Sequence, residues 1–381
     1  ETVRSSPDRS TQTLPGGTTS YPGVGTIAFR RYCLQRVLGR GGMGIVWLAL
    51  DMKLERTVAL KFLPDFFNAD AEALREMKDE TRRGLDLAHP NIVRIYDFVD
   101  DSDSAAISME YVDGRSLHDS RVSHPNKVFS VEEITPWVRQ LCEALDYAHT
   151  QRQIIHRDLK PANLMVNSQG QLKITDFGIA RGLSDTMSRV TGAGNSGTLL
   201  YMSPQQSMGD RPLPTDDIYS VGATLYDLLT GKPPFYRGDV AMQVASKIAP
   251  SMMERRVELE VKATDVIPPE WEETVAACLD KDPTYRPQSG TELAARLGLE
   301  MKGETKPIVV VMRPEGSRTS YAGPVARSRA AKLSKLTVAL AVFTILTVLA
   351  VALSLWSNRS GSWAVETNPP GAFVTIGDVT Q

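Results

Sequence analysis

The sequence predicts an α+β protein in which a strand-rich part precedes a helix-rich part. Short β-branched and aromatic runs bounded by turn residues come first, and apolar residues at helical spacing follow. Strands first and helices second favour two lobes over a doubly wound sheet. At 381 residues, the chain is longer than one compact core requires. It begins with Glu1 and stops at Gln381, so we expect it to be a piece of a longer protein.

The first lobe is predicted over residues 32–112 and holds five strands and one helix. The helix is the charged, helix-favouring stretch over 69–87, between the third and fourth strands. The strands are predicted at Tyr32–Leu38, Ile45–Leu50, Thr57–Leu63, Asn91–Phe98 and Ala105–Val112. Residues 1–31 are rich in Ser, Thr, Pro, Gly and Arg without an apolar run. This composition predicts a flexible tail and excludes a secretory signal peptide.

The second lobe is predicted over residues 113–297 and is mainly helical. One helix has an apolar face formed by Ile134, Val138, Leu141, Leu145 and Ala148. Its start has two interpretations. Ser130 with Glu133 fits a capping box, whereas Thr135 before Pro136 fits an N-cap and a first helical residue. Further helices are predicted over Asp217–Thr230, ended by Gly231, and over Trp271–Leu279 and Thr291–Leu297.

A membrane span is predicted over residues 336–356, which contain no charge. About 20 residues at 1.5 Å each cross the roughly 30 Å hydrocarbon core of a bilayer; a buried core helix is the alternative. The basic residues that precede the run are Arg327, Arg329, Lys332 and Lys335, and only Arg359 follows closely. By the positive-inside rule the lobes are cytoplasmic. We expect a single-pass protein of the cell (inner) membrane, with a juxtamembrane linker over 298–335 and an extracytoplasmic segment over 357–381.

The charge balance and the cysteine spacing exclude several classes of function. With 43 Lys and Arg against 45 Asp and Glu, the chain has no bulk basic character, so no nucleic-acid partner is expected. Cys33, Cys142 and Cys278 lie far apart without a CxxC spacing, which argues against a zinc site or a disulfide scaffold. They are predicted to be buried thiols in a reducing compartment.

A glycine-rich segment joins the first two predicted strands. Residues 38–46 read Leu-Gly-Arg-Gly-Gly-Met-Gly-Ile-Val, and dinucleotide-binding folds share this glycine spacing. A dinucleotide site needs a helix directly after the glycines, whereas strands flank them here. A glycine hairpin lets backbone N–H groups approach phosphate oxygens without side chains in the way. A plain hairpin turn would not require three glycines at this spacing.

A lysine on the third predicted strand is placed where an anion must meet it. Lys61 ends the apolar run Val58-Ala59-Leu60, and burying its ammonium is costly without a counter-ion. Phosphate on one side and a carboxylate on the other would satisfy it. Glu76 and Glu80 on the predicted helix are the candidate carboxylates, one turn apart.

Two further motifs are His156-Arg157-Asp158-Leu159-Lys160-Pro161-Ala162-Asn163 and Asp176-Phe177-Gly178. With the glycine segment, the Lys61 strand and residues 217–222, they follow one family order over 32–297 and resemble a eukaryotic-type (Hanks-type) protein kinase. The finer pattern is similar to bacterial membrane-anchored serine/threonine kinases. The resemblance implies a bilobal kinase fold, with a β-rich N-lobe that carries one helix, a mostly helical C-lobe, and one transmembrane helix. It also implies a non-specific serine/threonine protein kinase that phosphorylates proteins and acts as a transmembrane signalling receptor.

The resemblance assigns an ATP site to residues of both lobes. The expected ATP-binding residues are Leu38, Gly39, Arg40, Gly41, Gly42, Met43, Gly44, Val46, Ala59, Lys61, Met109, Glu110, Val112, Asn163 and Asp176. Among them, Met109 resembles the gatekeeper, and the backbones of Glu110 and Val112 are expected to bind adenine. Asn163 and Asp176 are expected to supply oxygen ligands for Mg²⁺, or for Mn²⁺ in its place.

The same resemblance implies four catalytic residues. Asp158 accepts the proton of the substrate hydroxyl, and Lys160 steadies the transferred phosphoryl group. Lys61 contacts the α- and β-phosphates and pairs with a glutamate. Glu80 is chosen over Glu76 because Glu80 lies nine residues before the His-Pro-Asn run at 89–91, as in similar kinases. Lys160 also indicates Ser/Thr substrates.

Two features of the resemblance concern the activation segment. Arg157 is typical of kinases that phosphorylation of this segment switches, and we expect autophosphorylation at Thr186, Ser188 or Thr191. Gln205 stands where the family has the glutamate of A-P-E, which pairs with an arginine, here Arg286. At best a neutral hydrogen bond then replaces the ion pair, so we expect lower stability without loss of activity.

The resemblance leaves alternatives for the whole chain. Residues 363–377 resemble the opening of a PEGA-type β domain, and an unstructured tail is the alternative. A homodimer is expected, because a single span does not easily transmit a rigid motion. The rival to an active kinase is a pseudokinase, a nucleotide-binding scaffold without transfer, and the presence of Lys61, Asp158, Asn163 and Asp176 argues against it. A sensor function of the outer segment is compatible with a kinase inside.

Overall fold

The computed structural model describes residues 23–300, except 42–43, 65–66, 68–69, 103, 178–198 and 263–264. The N-lobe contains an antiparallel six-stranded sheet with the order β1-β2-β3-β4-β6-β5. Its strands are β1 (Ile27–Ala28), β2 (Tyr32–Gly41), β3 (Gly44–Asp51), β4 (Arg56–Phe62), β5 (Ile95–Asp100) and β6 (Ala105–Glu110). The five strands expected from the sequence are therefore present as β2 to β6.

The helix of the N-lobe, α1 (Ala71–Leu85), begins at an aspartate cap. The Asp70 side chain accepts hydrogen bonds from the N–H groups of Glu72 and Ala73, which satisfies two otherwise unpaired donors. A stripe of small and apolar residues, Ala73, Met77, Thr81 and Gly84, is buried. A Cβ at Gly84 would lie 2.5 Å from Cδ1 of Ile95, so a larger residue would separate the helix from β5.

The segment directly before β2 differs from the flexible tail predicted over residues 1–31. Ile27 and Ala28 pair with β2. Arg31 donates to both Asp51 carboxylate oxygens, at 2.9 and 2.7 Å, and to Asp97 at 2.8 Å. These contacts hold residues 23–31 against the sheet, and the composition of the segment gave no sign of them. Residues 1–22 lie outside the described part of the chain.

The C-lobe combines a small sheet with a set of helices. The sheet has the order β7-β8-β9, formed by β7 (Gly114–Ser116), β8 (Leu164–Asn167) and β9 (Leu172–Ile174). The first helices are α2 (Leu117–Ser123) and α3 (Val131–Asp146), which a π-helical turn at Tyr147–Gln151 extends. The later helices are α4 (Pro204–Met208), α5 (Pro214–Thr230), α6 (Val240–Ser246), α7 (Met252–Glu258), α8 (Pro269–Cys278) and α9 (Gly290–Arg296).

The core of the C-lobe is built around α5, in which every residue from Thr215 to Thr230 is buried. The helix starts at Pro214, three residues before the predicted start, because proline is tolerated at the first helical position. It ends at Gly231, whose φ of +90° favours glycine. A helix buried on all sides carries polar groups that must find partners inside the lobe, and several of these groups serve the site described below.

The ambiguous start of α3 is resolved in favour of Ser130. Its side chain accepts from the N–H of Glu133, and the Glu133 side chain accepts from the N–H of Ser130, so a capping box is formed. Pro136 lies inside the helix, and the alternative start at Thr135 is wrong. The proline is tolerated because it lies close to the N-terminus, where it removes only one backbone hydrogen bond.

Several predicted segments lie outside the described residues. They are the part of the linker that follows residue 300, the membrane span predicted over 336–356, the outer segment over 357–381 and the phosphorylation sites expected at 186, 188 and 191. Among the helices of the described residues, none is long and apolar enough to cross a membrane.

Candidate active site

Asp158 and Asn163 lie in a loop between the π-helical turn and β8, and Asp158 is almost completely buried. The Lys160 ammonium contacts both Asp158 carboxylate oxygens, at 2.9 and 2.8 Å. Asn163 donates through its amide nitrogen to the Asp158 carbonyl at 2.7 Å and to Oδ2 at 2.9 Å. The three residues that the sequence analysis placed together thus form one hydrogen-bonded unit. Because both N–H bonds of the Asn163 amide are directed at Asp158, its oxygen remains as a ligand atom.

Asp217 on α5 holds the backbone of this loop. Its two carboxylate oxygens accept the N–H groups of His156 and Arg157, each at 2.8 Å, and Oδ2 also accepts from the His149 ring at 2.7 Å. Burial by itself raises the pKa of Asp217, but the hydrogen bond and the charge of His149 outweigh it, so the pKa lies below its ordinary value. Arg157 has a φ of +69°, a strained value for a non-glycine residue that these bonds hold in place.

His156 connects the loop to the segment that carries Asp176. Its Nδ1 accepts from the Asp158 N–H at 3.2 Å, so the ring proton is on Nε2, which donates to the Thr175 carbonyl at 2.8 Å. The ring also packs edge-on against Phe177, with centroids 4.6 Å apart. His156 was not predicted among the site residues, and in the structure it positions the two acidic residues.

Lys61 and Asp176 form an ion pair, with Nζ 2.6 Å from Oδ1. The Lys61 side chain is only 6% exposed, so it needs a counter-ion, and Asp176 reaches it with a φ of +59°. Burial alone raises the pKa of Asp176, but the Lys61 ammonium outweighs this effect and the pKa is lowered. Among the ion pairs of the described residues, Lys61 contacts Asp176 and not Glu80, so the Lys61–Glu80 pair stays a prediction.

The helix positions the two candidate glutamates differently. Glu80 on α1 is partly buried and lies between the buried residues Met77 and Gly84. Glu76 is exposed. The difference in burial favours the choice of Glu80 as the residue that faces the site.

The residues expected around adenine share one hydrophobic cluster of the N-lobe. Ala59, Met109 and Val112 are buried members of it, and the partly buried Leu38 and Val46 pack against it. Met165 on β8 of the C-lobe packs against the same cluster. Met165 was not predicted at the site, although its position two residues after Asn163, on the strand that follows the loop, indicates that it lies there.

The glycine segment forms the β2–β3 hairpin, in which Gly41 pairs with Gly44, Arg40 with Ile45 and Gly39 with Val46. A Cβ at Gly39 or at Gly41 would meet no protein atom within 4 Å, so open space lies beside both. Gly44 serves a different purpose, because its φ is +111° and a Cβ would lie 2.0 Å from the Phe62 carbonyl oxygen. Gly42 and Met43 lie outside the described residues.

Gln205 makes more contacts than a substitute for glutamate was expected to make. Its Oε1 accepts from Nη2 of Arg286 at 2.6 Å, and its Nε2 donates to the Lys281 carbonyl at 2.9 Å. Arg286 also donates to the carbonyls of Asp280 at 2.8 Å and Thr215 at 3.0 Å. The Gln205–Arg286 bond has a charged donor, so the contact is stronger than a bond between neutral groups.

Known proteins resemble this chain in sequence and in fold. A family model described as "Protein kinase domain" matches residues 32–296. The chain belongs to the protein kinase family. Members of this family use ATP and a divalent metal ion, and the family and the bilobal fold predicted from the sequence are confirmed.

Two curated relatives are serine/threonine-protein kinases by name. PknB of Mycobacterium leprae is 37% identical over 277 residues, which cover 70% of this chain and 42% of the relative. PrkC of Bacillus subtilis is 35% identical over 278 residues, which cover 71% of this chain and 41% of the relative. The chain therefore spans about two fifths of the length of these relatives.

Among solved structures, the PknI kinase domain of Mycobacterium tuberculosis is similar to the described fold. The match has a TM-score of 0.58 and 28% identity, and it covers 73% of this chain and 99% of that one.

Proposed function

We propose that this chain is a serine/threonine protein kinase that transfers the γ-phosphate of ATP to Ser or Thr hydroxyls of proteins. The observation that carries the proposal is the unit of Asp158, Lys160 and Asn163, which His156 joins to the segment that carries Asp176. Phosphoryl transfer needs positioning and charge neutralisation more than covalent chemistry, and this unit supplies fixed charges at short distances. The relatives PknB and PrkC support the Ser/Thr class by their names.

Asp158 and Lys160 act on the substrate hydroxyl and on the transferred group. The Asp158 carboxylate is held in place by the Asn163 amide and accepts the hydroxyl proton as the oxygen attacks. Lys160, which contacts Asp158 through its ammonium, steadies the negative charge of the phosphoryl group. The buried setting strengthens both interactions.

ATP fits the cleft at both of its ends. The open space beside Gly39 and Gly41 accepts phosphate oxygens close to the hairpin backbone, with Lys61 as their counter-ion. The apolar cluster around Ala59, together with Met165, receives the adenine ring. When the nucleotide binds, Lys61 leaves Asp176 and contacts the α- and β-phosphates and Glu80.

The acidic end of the cleft suits a divalent cation. The Asn163 amide oxygen and the Asp176 carboxylate would hold Mg²⁺, or Mn²⁺ in its place, because both cations prefer hard oxygen ligands. A bound ion supplies neutralisation of the phosphate charge.

The uncharged run over 336–356 supports a single membrane span, and the basic residues before it support a cytoplasmic kinase domain in the cell (inner) membrane. We further propose signalling across that membrane, a homodimer, and the start of a PEGA-like domain after the span. Carbonate extraction of membranes tests the anchor. The full chain should stay in the pellet, whereas a variant without residues 336–356 should be released, and equal release of both would contradict the anchor.

The test of the proposed function uses the purified full chain with Mg·ATP and a generic basic protein. Mass spectrometry should find phosphoserine and phosphothreonine on the added protein, and phosphorylation of the chain itself between residues 178 and 198. Phosphotyrosine alone, or no transfer despite nucleotide binding, would refute the proposal.

A further inference from the structure

A carboxylate at the boundary of the lobes joins three segments of the chain. Glu110 ends β6, and its Oε2 accepts the N–H of Arg94, just before β5, at 3.2 Å. The N–H of Glu110 donates to the Arg94 carbonyl at 2.8 Å. Its Oε1 lies 2.5 Å from Nζ of Lys173, which belongs to β9 of the C-lobe sheet. One side chain thus contacts both lobes.

The partner strand leads directly to the acidic end of the cleft. Lys173 stands three residues before Asp176. Its neighbour Ile174 donates to the Asn91 carbonyl at 2.8 Å and accepts from the Val93 N–H at 2.9 Å. The segment before β5 is therefore bonded to β9 by its backbone, and the Glu110 carboxylate adds the end of β6 to the same junction.

The two side chains are shielded enough for the pair to matter. Lys173 is 12% exposed and Glu110 is 25% exposed. Ion pairs at this depth are screened less than surface pairs, which contribute little. The ammonium of Lys173 also acts on His89: burial lowers the pKa of the imidazole most, the charge of Glu143 raises it, and the Lys173 charge lowers it further.

We propose that Glu110 and Lys173 form a positioning pair between the lobes that keeps the adenine-binding segment aligned with Asp176. The proposal rests on the nucleotide site proposed above. Neither side chain touches the reacting atoms. The pair acts through the backbone of Glu110 at the adenine end and through the three residues after Lys173 at the phosphate end. Without it, the backbone bonds of Ile174 to the segment before β5 remain but the end of β6 is held less firmly against β9, so nucleotide binding weakens.

The N-lobe offers a matched control. Lys78 on α1 and Asp100 on β5 also form a lysine–carboxylate pair, with Nζ 2.8 Å from Oδ2. Their side chains are 40% and 38% exposed, and both lie within one lobe. Loss of this pair removes an ion pair of the same type without changing a contact between the lobes.

The experiment measures the Kd of Mg·ADP by calorimetry and the KM and kcat for ATP, on the full chain. Lys173→Met and Glu110→Gln should each raise the Kd and the KM for ATP roughly threefold to tenfold. The double variant should be no weaker than the worse single variant, because both changes remove one interaction. Lys173→Arg should bind like the wild type, and Lys78→Met should stay within about twofold of it. The KM for the protein substrate should not change.

The proposal is overturned if Lys173→Met binds Mg·ADP as tightly as the wild type, or if the two single effects add in the double variant. An effect of Lys78→Met as large as that of Lys173→Met would also overturn it. If Lys173→Met does not fold, the charge-swapped variant Glu110→Lys, Lys173→Glu replaces it in the test. The proposal predicts that this variant binds Mg·ADP like the wild type, and weaker binding would contradict it. Failure of the proposed function has a different signature, since the wild type itself would then bind no nucleotide or transfer no phosphate.

Discussion

Replacement of Gln205 by alanine should destabilise the kinase domain without abolishing activity. The side chain makes one hydrogen bond from the charged Arg286 guanidinium, at 2.6 Å, and one to the Lys281 carbonyl, at 2.9 Å. A hydrogen bond to a charged group contributes about 1.5–3 kcal/mol, and one between neutral groups about 0.5–1.5 kcal/mol. Arg286 keeps its bonds to the Thr215 and Asp280 carbonyls, so we expect the lower part of the sum, about 2–3 kcal/mol.

At roughly 2–4 °C per kcal/mol for a large domain, the melting temperature of Gln205→Ala should fall by about 5–10 °C in scanning calorimetry. Gln205→Glu is the control. The new carboxylate of this variant would gain an ion pair with the Arg286 guanidinium, whose pKa is lowered by burial. It would lose the hydrogen bond to the Lys281 carbonyl, because a carboxylate has no N–H to donate. We expect it within about 1 kcal/mol of the wild type. A melting temperature of Gln205→Ala within 2 °C of the wild type would refute this reasoning.

Three further predictions concern other buried and charged groups. Thr224 is buried in α5 beside an apolar cavity, and its hydroxyl has no hydrogen-bond partner among the described residues. Thr224→Val should therefore raise the free energy of unfolding by about 1 kcal/mol, measured by urea denaturation. Thr230→Val should lower it, because that hydroxyl donates to the Tyr226 carbonyl at 2.7 Å; the same sign for both would contradict the reasoning. Glu80→Gln should lower kcat/KM for ATP about tenfold or more, whereas the exposed Glu76→Gln should stay within about twofold, and equal effects would reject Glu80 as the partner of Lys61. The lowered pKa of Asp217 stabilises the folded protein above the ordinary aspartate pKa near 3.9, and this stabilisation is lost as the pH falls through the pKa of the folded state. Asp217→Asn should therefore flatten the fall in melting temperature between about pH 5 and pH 2. An unchanged slope would contradict this account.

The strands of the N-lobe could be predicted from the sequence because alternation and turn residues are local signals. Predicted and observed ends differ by a few residues, as for the last strand, expected to reach Val112 and ending at Glu110. The short helices α2, α6 and α7 were missed, because seven residues are too few to show an apolar period. The sheet β7-β8-β9 was missed because its strands have only three or four residues, too few to show alternation, and because β7 pairs with β8 across a long stretch of chain.

The candidate site could be predicted where one sequence motif specifies both a residue and its role. Asp158, Lys160 and Asn163 lie within six residues and meet in space. The contacts made across long sequence separations could not be predicted, among them Asp217 with the His156 and Arg157 backbone, and Glu110 with Lys173. Such contacts depend on how the lobes and helices pack, which no local pattern encodes. The Lys61–Asp176 pair has the same origin, because its partners lie 115 residues apart.

The central claim is that Asp158 serves a working phosphoryl-transfer site. The most direct measurement compares transfer of labelled phosphate from Mg·ATP by the full chain and by its Asp158→Asn variant, with Mg·ADP binding measured on both. Loss of the base alone should lower transfer by about 10²-fold or more while the Kd for Mg·ADP changes little. Equal transfer by both chains would show that Asp158 is not the base. No transfer by the wild type, with nucleotide binding intact, would contradict the account and favour a nucleotide-binding scaffold.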